Sequence, residues 1–326
     1  MIKRRPLLQA GLAWPMAVAG PVAAAPARVA RIVLVSIGTD PSQQQHWQPL
    51  RDALRQLGHV EGHNLLIETA FAAGDAAQMP GLLAAALRTP VDVIVTTGVR
   101  ETQAARQLSA RIPIVMLQVP DPVAQGLVTS LGRPGGNVTG LTNMVPGLSQ
   151  KYIEFLHEVL PAVMQMAVLA SGPNPVAEHR RELDGAAAHF GVKLRYLTVQ
   201  GPNDFEPVLR RARLEGVGAI IATLDPVTQL HRKVLLQVAQ RQRLPGIFWS
   251  RDFVVDGGLM TYSANTDDLR RRGAAFVDRI LKGAKPADLP VEQPTRFELV
   301  LNLKAAAALG LTIPHSLLLR ADEVIQ

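Results

Sequence analysis

Two rhythms alternate along the chain. Short unbroken apolar runs, such as Ile114-Val115-Met116-Leu117 and Ala219-Ile220-Ile221-Ala222, alternate with longer stretches in which apolar residues return every three or four positions. The first pattern is that of parallel strands covered on both faces, and the second that of amphipathic helices. Residues 31–37 form a first strand. Residues 45–57 form a helix with Trp47, Leu50, Leu54 and Leu57 on one face, closed by Gly58. Strands follow at 65–70, 91–96, 114–117 and 137–141, with helices at 76–87 and 101–110 and a shorter one at 123–131. After a helix at 148–160 the alternation starts again. Strands fall at 166–170, 193–199, 219–224 and 244–249, with helices at 176–190, 204–214 and 228–241. Residues 257–262 read as a crossing back to the first half. A helix at 267–281, a linker at 282–290, a strand at 297–303 and a helix at 304–309 complete the chain.

This alternation predicts an α/β protein with two Rossmann-like lobes, each a parallel sheet flanked by helices. An internal echo supports two lobes over one large sheet. Asp121-Pro122-Val123 and Asp225-Pro226-Val227 each follow an apolar strand and precede a helical segment, and Thr97-Gly98 is matched by Ser171-Gly172. The expected division is 28–142 with 262–285 for the N-terminal lobe and 143–261 with 286–326 for the C-terminal lobe. In open α/β sheets ligands bind beyond the carboxyl ends of the strands. Asp121 and Asp225 therefore fall where a ligand would, although Asp-Pro is also simply a good strand stop and helix start.

Composition narrows the function. Cysteine is absent, which removes disulfides, thiolate metal sites, a cysteine nucleophile and a lipoprotein anchor. The net charge of +7 owes three charges to Lys3, Arg4 and Arg5, at the head of an apolar stretch ending in Ala23-Ala24-Ala25-Pro26-Ala27. Residues 1–27 read as an export signal, with Arg4-Arg5 resembling a twin-arginine motif, so the mature chain is expected in the periplasm. Arg270-Arg271-Arg272 is the one later basic run, and it reads as a solvated helix face. No aromatic interleaving suggests nucleic-acid binding.

Reactive constellations are missing. His59 and His63 lie in a glycine-flanked turn and read as surface residues, and His46 as a solvated one. Residues 147–149 lack a nucleophile elbow, 132–136 lack a phosphate-loop lysine, and 216–218 lack the third glycine of a dinucleotide site. No enzyme, metal or cofactor is expected. The first turn of the helix after Gly98, with Thr97, could hold a carboxylate. Asp121 or Asp225 could pair with an ammonium. Phe248 and Trp249 stand at a strand end, where one of them could wall a ligand.

The chain from residue 31 to 326 resembles the bacterial ABC-transporter substrate-binding proteins of the tryptophan-transporter-like group. The resemblance rests on Leu57-Gly58-His59-Val60-Glu61-Gly62-His63-Asn64, on Asp92-Val93-Ile94-Val95-Thr96-Thr97-Gly98, on Asp121-Pro122-Val123 and on Leu131-Gly132-Arg133-Pro134-Gly135-Gly136-Asn137-Val138-Thr139-Gly140-Leu141. It continues in Gly257-Gly258-Leu259-Met260-Thr261-Tyr262, in the run from Ile280 to Pro290, and in Asn302-Leu303-Lys304-Ala305-Ala306. It implies the type I periplasmic binding protein architecture, with two lobes joined by three crossings that close on a small molecule. It implies docking on an inner-membrane permease and a monomer. Carried over by position, it implies binding loops holding Thr97, Gly98, Asp121, Ser171, Asn174, Asp225, Phe248, Trp249 and Ser250. The ligand expected from these residues is an amino acid or similar carboxylate. A periplasmic sensing module serving a membrane receptor is the alternative.

Overall fold

The computed structural model describes residues 29–38, 45–171, 177–223 and 225–326. The expected export signal, Asn174 and Leu224 lie outside the described residues. The chain forms two sheets. The first contains β1 (Ala30–Ser36), β2 (Leu65–Phe71), β3 (Val93–Thr96), β4 (Ile114–Met116) and β5 (Val138–Gly140), all parallel, in the order β2-β1-β3-β4-β5. Its helices are α1 (Gln48–Gln56), α2 (Met79–Ala86) and α3 (Val99–Leu108). The second sheet follows α4 (Leu148–Val159). It contains β6 (Gln165–Ala170), β7 (Lys193–Thr198), β8 (Ala219–Ala222) and β9 (Gly246–Phe248), all parallel, interleaved with α5 (Ala177–His189), α6 (Pro202–Leu214), α7 (Pro226–Leu230) and α8 (Arg232–Arg241). Then come α9 (Arg251–Val255), β10 (Met260–Ala264), α10 (Thr266–Leu281), β11 (Phe297–Asn302), α11 (Leu303–Leu309), α12 (His315–Leu318) and β12 (Glu323–Ile325). The second sheet runs β12-β11-β10-β9-β8-β6-β7, with β11 antiparallel to β10. Parallel sheets flanked by helices on both faces are the architecture that the alternating pattern predicts.

Each sheet buries its two faces separately. Ile32, Leu34, Val93 and Val95 pack with Trp47, Leu50, Leu54 and Phe276 on one face of the first sheet; Val33, Val35, Ile94 and Met116 pack with Met79 and Leu83 on the other. The second sheet is covered by Ile153, Leu156 and Leu183 on one side and by Phe205, Leu209, Leu235 and Phe253 on the other. The alternation of side chains along every strand produces this double covering.

The crossings between the sheets depart from the sequence reading in detail. Residues 257–262 were expected to lead back to the first half. Instead β10 pairs in register with β9 and β11 through Ala264, and the chain changes sides just before α10, which packs on α1, β3 and β4. Residues 286–292 do not join the second sheet. Thr139 Oγ1 donates to Leu289 O at 2.6 Å, Val291 N to Leu131 O at 2.7 Å and Glu292 N to Gly140 O at 2.9 Å, so this segment lies along β5.

Other differences have local causes. The helix expected at 123–131 is a series of turns, because Pro122 and Gly126, at φ +65°, close it with Gly126 N to Val123 O and Leu127 N to Pro122 O bonds. The helix expected at 228–241 breaks at His231, the common boundary of α7 and α8. The sequence reading missed α9, α12 and β12, each too short for a periodic signal. Two glycines mark close approaches. A β-carbon on Gly140, whose φ is +130°, would stand 2.0 Å from Met116 O, and one on Gly273 would stand 2.4 Å from Leu117 Cδ2. The first lets β5 pair with β4, and the second seats α10 directly on the exit of β4.

Candidate ligand-binding site

The carboxyl ends of the strands carry most of the residues singled out from the sequence. In the first sheet these ends lead into Ile37 and Gly38, Thr97 and Gly98, and Leu117 and Gln118; in the second they lead into Ser171, Thr223 and Asp225, and Trp249 and Ser250. The two sets are close to each other. A β-carbon on Gly74, after β2, would stand 2.9 Å from Leu230 Cδ1 on α7. His46, just before α1, is half-buried rather than solvated. Burial, and after it the Arg270 guanidinium, push its pKa below the ordinary value, while Asp252 from the second sheet's side acts in the opposite sense.

The expected carboxylate pocket at α3 is filled by the protein itself. Glu101, in the first turn of α3, is buried, and its Oε1 accepts from Ile37 N at 3.2 Å and from Thr97 Oγ1 at 3.4 Å. Burial pushes the Glu101 carboxyl above its ordinary value, against the hydrogen bonds from its own backbone N–H, Ile37 and Thr97. A β-carbon on Gly98 would stand 2.6 Å from Glu101 Oε2, so this carboxylate lies close against the Gly98 backbone. Thr102 Oγ1 completes the turn by donating to Gly98 O at 2.6 Å.

Asp225 is equally committed. Its Oδ1 accepts from Val227 N and Thr228 N, both at 2.9 Å, and its Oδ2 accepts from Ser171 N at 2.7 Å and Ser171 Oγ at 2.5 Å. Four donors fill the accepting positions of a carboxylate. Asp225 thus caps α7 and ties it to the exit of β6, which leaves it poorly placed to pair with a ligand ammonium. Asp121, at φ +41°, accepts at Oδ1 from Ala124 N at 2.9 Å and so shapes the turn after β4. Phe248 faces the core. It is 1% exposed and stacks on Phe253 at 4.9 Å, and its carbonyl accepts from Thr261 Oγ1 at 2.6 Å.

A different set of side chains faces inward without partners. Buried polar atoms are nearly always hydrogen-bonded, so each exception calls for a reason. Among the described residues, Gln118 Nε2, Gln229 Oε1, Trp249 Nε1, Ser250 Oγ and Arg270 Nε are buried and have no hydrogen-bond partner, as is also true of Trp47 Nε1, Asn143 Oδ1, His157 Nδ1 and Glu182 Oε2 elsewhere in the chain. Gln118 follows β4, Trp249 and Ser250 follow β9, Gln229 is on α7, and Arg270 is in the second turn of α10. A few contacts and chain adjacency connect members of this set. Gln229 Nε2 donates to Asp252 Oδ2 at 3.2 Å, Asp252 lies two residues beyond Ser250, and its charge acts on Arg270. Gly273, one turn from Arg270, contacts Leu117 beside Gln118. Trp249 and Ser250 are the residues of the sequence reading that this set retains.

Arg270, Gln118, Gln229 and Asp252 were missed. The run Arg270-Arg271-Arg272 reads as a solvated face, and Arg271 is exposed, but Arg270 is only 8% exposed. The available signal was periodicity, since Arg270 lies on the same face of α10 as Gly273, Ala274 and Val277. His59, expected as a surface turn residue, is bonded through Nε2 to Asp278 Oδ1 at 2.8 Å and pins that turn to α10. Among the described residues no group of three or more His, Cys, Asp or Glu side chains could hold a metal, and no helix is long and apolar enough to cross a membrane. A shallow hollow lined by Met164, Gln165, Lys193 and Arg213 lies at the amino ends of β6 and β7, away from Trp249 and Ser250 at the opposite end of the sheet.

Comparison with known proteins agrees with this geometry. The family model described as ABC transporter substrate binding protein matches residues 29–325. A tyrosine-binding protein of Clostridioides difficile (strain R20291) is 24% identical over 278 residues, which span 83% of this chain and 79% of that protein. The crystal structure of an ABC domain of Streptococcus pneumonia in complex with L-Trp is 25% identical, covers 91% of this chain and 99% of its own, and superposes with a TM-score of 0.83. A conserved domain protein of Vibrio cholerae is 27% identical, covers 91% of this chain and 100% of its own, and has a TM-score of 0.82. The family binds solutes and is not enzymatic. Its members share the type I periplasmic binding protein fold seen here, and this chain belongs to the ABC transporter substrate-binding protein family, in accord with the tryptophan-transporter-like resemblance read from its sequence.

Proposed function

We propose that this protein is the extracytoplasmic solute-binding component of an ABC importer, which captures an amino acid between its two lobes and delivers it to a membrane permease. The observation that carries this reading is a set of buried, unpartnered polar atoms drawn from the sides of both sheets: Gln118, Trp249 and Ser250 follow the carboxyl ends of strands, and Gln229 and Arg270 lie on α7 and α10. A cleft whose polar groups await partners fits a polar ligand that supplies them. The tyrosine-binding and L-Trp-bound relatives support an amino acid as the ligand class.

In this reading the three chain crossings act as hinges. Ligand favours the closed arrangement because it contacts groups from both sheets only when they meet. The protein works as a monomer in the periplasm, exported by the segment before residue 28. The direct test is native mass spectrometry of protein purified without denaturation from the periplasm. A retained adduct with an amino-acid mass is expected. A bare protein mass, together with no thermal stabilisation by any of the common L-amino acids, overturns the amino-acid reading.

A further inference from the structure

We propose that the Arg270 guanidinium anchors the carboxylate of the bound amino acid, with the ligand's ammonium turned toward Asp252 and Gln229; this assignment rests on the solute-binding role above.

Arg270 differs from its two neighbours in the basic run. Arg271 is exposed, and Arg272 is matched by Asp268 at 3.8 Å and Glu292 at 2.7 Å. Arg270 is 8% exposed, and its one hydrogen bond among the described residues is Nη1 to Asp267 Oδ1 at 3.3 Å, to a carboxylate that is itself more than half exposed. Its Nε is buried and unpartnered. A guanidinium cannot shed its proton at any relevant pH, so a buried one must find a countercharge. Burial weighs against the charge, while Asp267 and Asp252 only partly offset it. No ion pair within 4.0 Å joins Arg270 to Asp252 among the described residues.

The surroundings supply the complementary half of a zwitterion site. A planar carboxylate can take two parallel hydrogen bonds from the Nε and Nη edge of an arginine. On the first sheet's side, Gln118 Nε2 is a further donor without an acceptor. On the second sheet's side, Gln229 Oε1 is an acceptor without a donor, and Gln229 Nε2 holds the Asp252 carboxylate, which is half-buried. Donors and a fixed cation at one end, with acceptors and a carboxylate at the other, match the charge order of an α-amino acid. Because Arg270 is carried by α10 and Asp252 by α9, such a ligand would bridge elements packed on different sheets.

The test compares wild type with Arg270→Met and Arg270→Lys by calorimetry, using L-tryptophan, L-tyrosine and their amides, which keep the ammonium and lack the carboxylate. Wild type is expected to prefer an acid over its amide by roughly 30-fold, the size of a hydrogen-bonded charge pair. Arg270→Met should weaken the acid by about the same factor and leave acid and amide nearly equal, with Arg270→Lys in between. Unchanged acid affinity and an unchanged acid-to-amide ratio in Arg270→Met overturn the assignment. If wild type binds neither acid, the amino-acid reading fails on its own, and melting of the ligand-free protein decides on Arg270. An anchor for an absent anion predicts that Arg270→Met melts above wild type and that acetate stabilises wild type alone. A lower melting temperature without an acetate effect would make Arg270 structural and overturn the proposal.

Discussion

Replacing Asp225 with alanine should unfold this protein more readily rather than simply weaken its ligand binding. The carboxylate is 6% exposed and accepts four hydrogen bonds, two from the first turn of α7 and two from Ser171. Loss of an Asp N-cap costs about 1 kcal/mol. Leaving the Ser171 N–H and hydroxyl without their acceptor costs about 1 kcal/mol each at the low end, appropriate to a half-buried residue. Together these give roughly 3 kcal/mol, which for units of this size lowers the melting temperature by roughly 6–12 °C. Ser171→Ala removes only one donor and should cost about a third as much. Differential scanning calorimetry of the ligand-free proteins measures both. If Asp225→Ala melts within about 1 °C of wild type while ligand affinity falls tenfold, the carboxylate contacts ligand and its role as a scaffold is refuted.

Other consequences can be checked with the same protein. Burial raises the folded pKa of Glu101 above its ordinary 4.5, so its contribution to stability is full below that value and is lost as pH rises through the raised one. Glu101→Gln should therefore raise the melting temperature at pH 7, with the gain shrinking toward pH 4.5; a gain that does not change with pH contradicts this origin. Trp249→Phe removes an indole N–H that has no partner among the described residues, so ligand affinity should fall roughly tenfold with little change in ligand-free stability. Equal affinity by calorimetry removes Trp249 from the site. Gly140→Ala forces a β-carbon to 2.0 Å from Met116 O at a positive φ, and should cost more than roughly 3 kcal/mol or prevent soluble expression. A soluble variant with an unchanged melting curve would show that β4 and β5 can separate freely.

The sheet-and-helix alternation was legible because it is written in period. Unbroken runs such as Ile32 to Val35 and Ala219 to Ala222 can only be covered strands, and each is fully buried. Boundaries of the crossings were less legible. Met260 to Ala264 is a mostly buried strand whichever sheet it joins, and only pairing with Phe248 and Val300 decides the matter. The site divided along a similar line. Sequence placed residues at strand ends, and Trp249 and Ser250 did carry orphaned atoms there. Sequence could not tell which polar groups the protein would use up itself. Glu101 fills the turn reserved for a ligand carboxylate, and Asp225 spends its oxygens on Ser171 and α7. Arg270 was hidden in a run of three arginines, because burial of one member depends on how α10 sits on Leu117, a contact fixed by the absence of a side chain at Gly273.

The most direct test of the central claim is isothermal titration calorimetry of the mature protein with the common L-amino acids. The account predicts that at least one binds with 1:1 stoichiometry and a dissociation constant of about 1 μM or tighter, with a negative heat-capacity change as the lobes close. Well-folded protein that gives no binding heat with any of them, at any temperature tried, would contradict it.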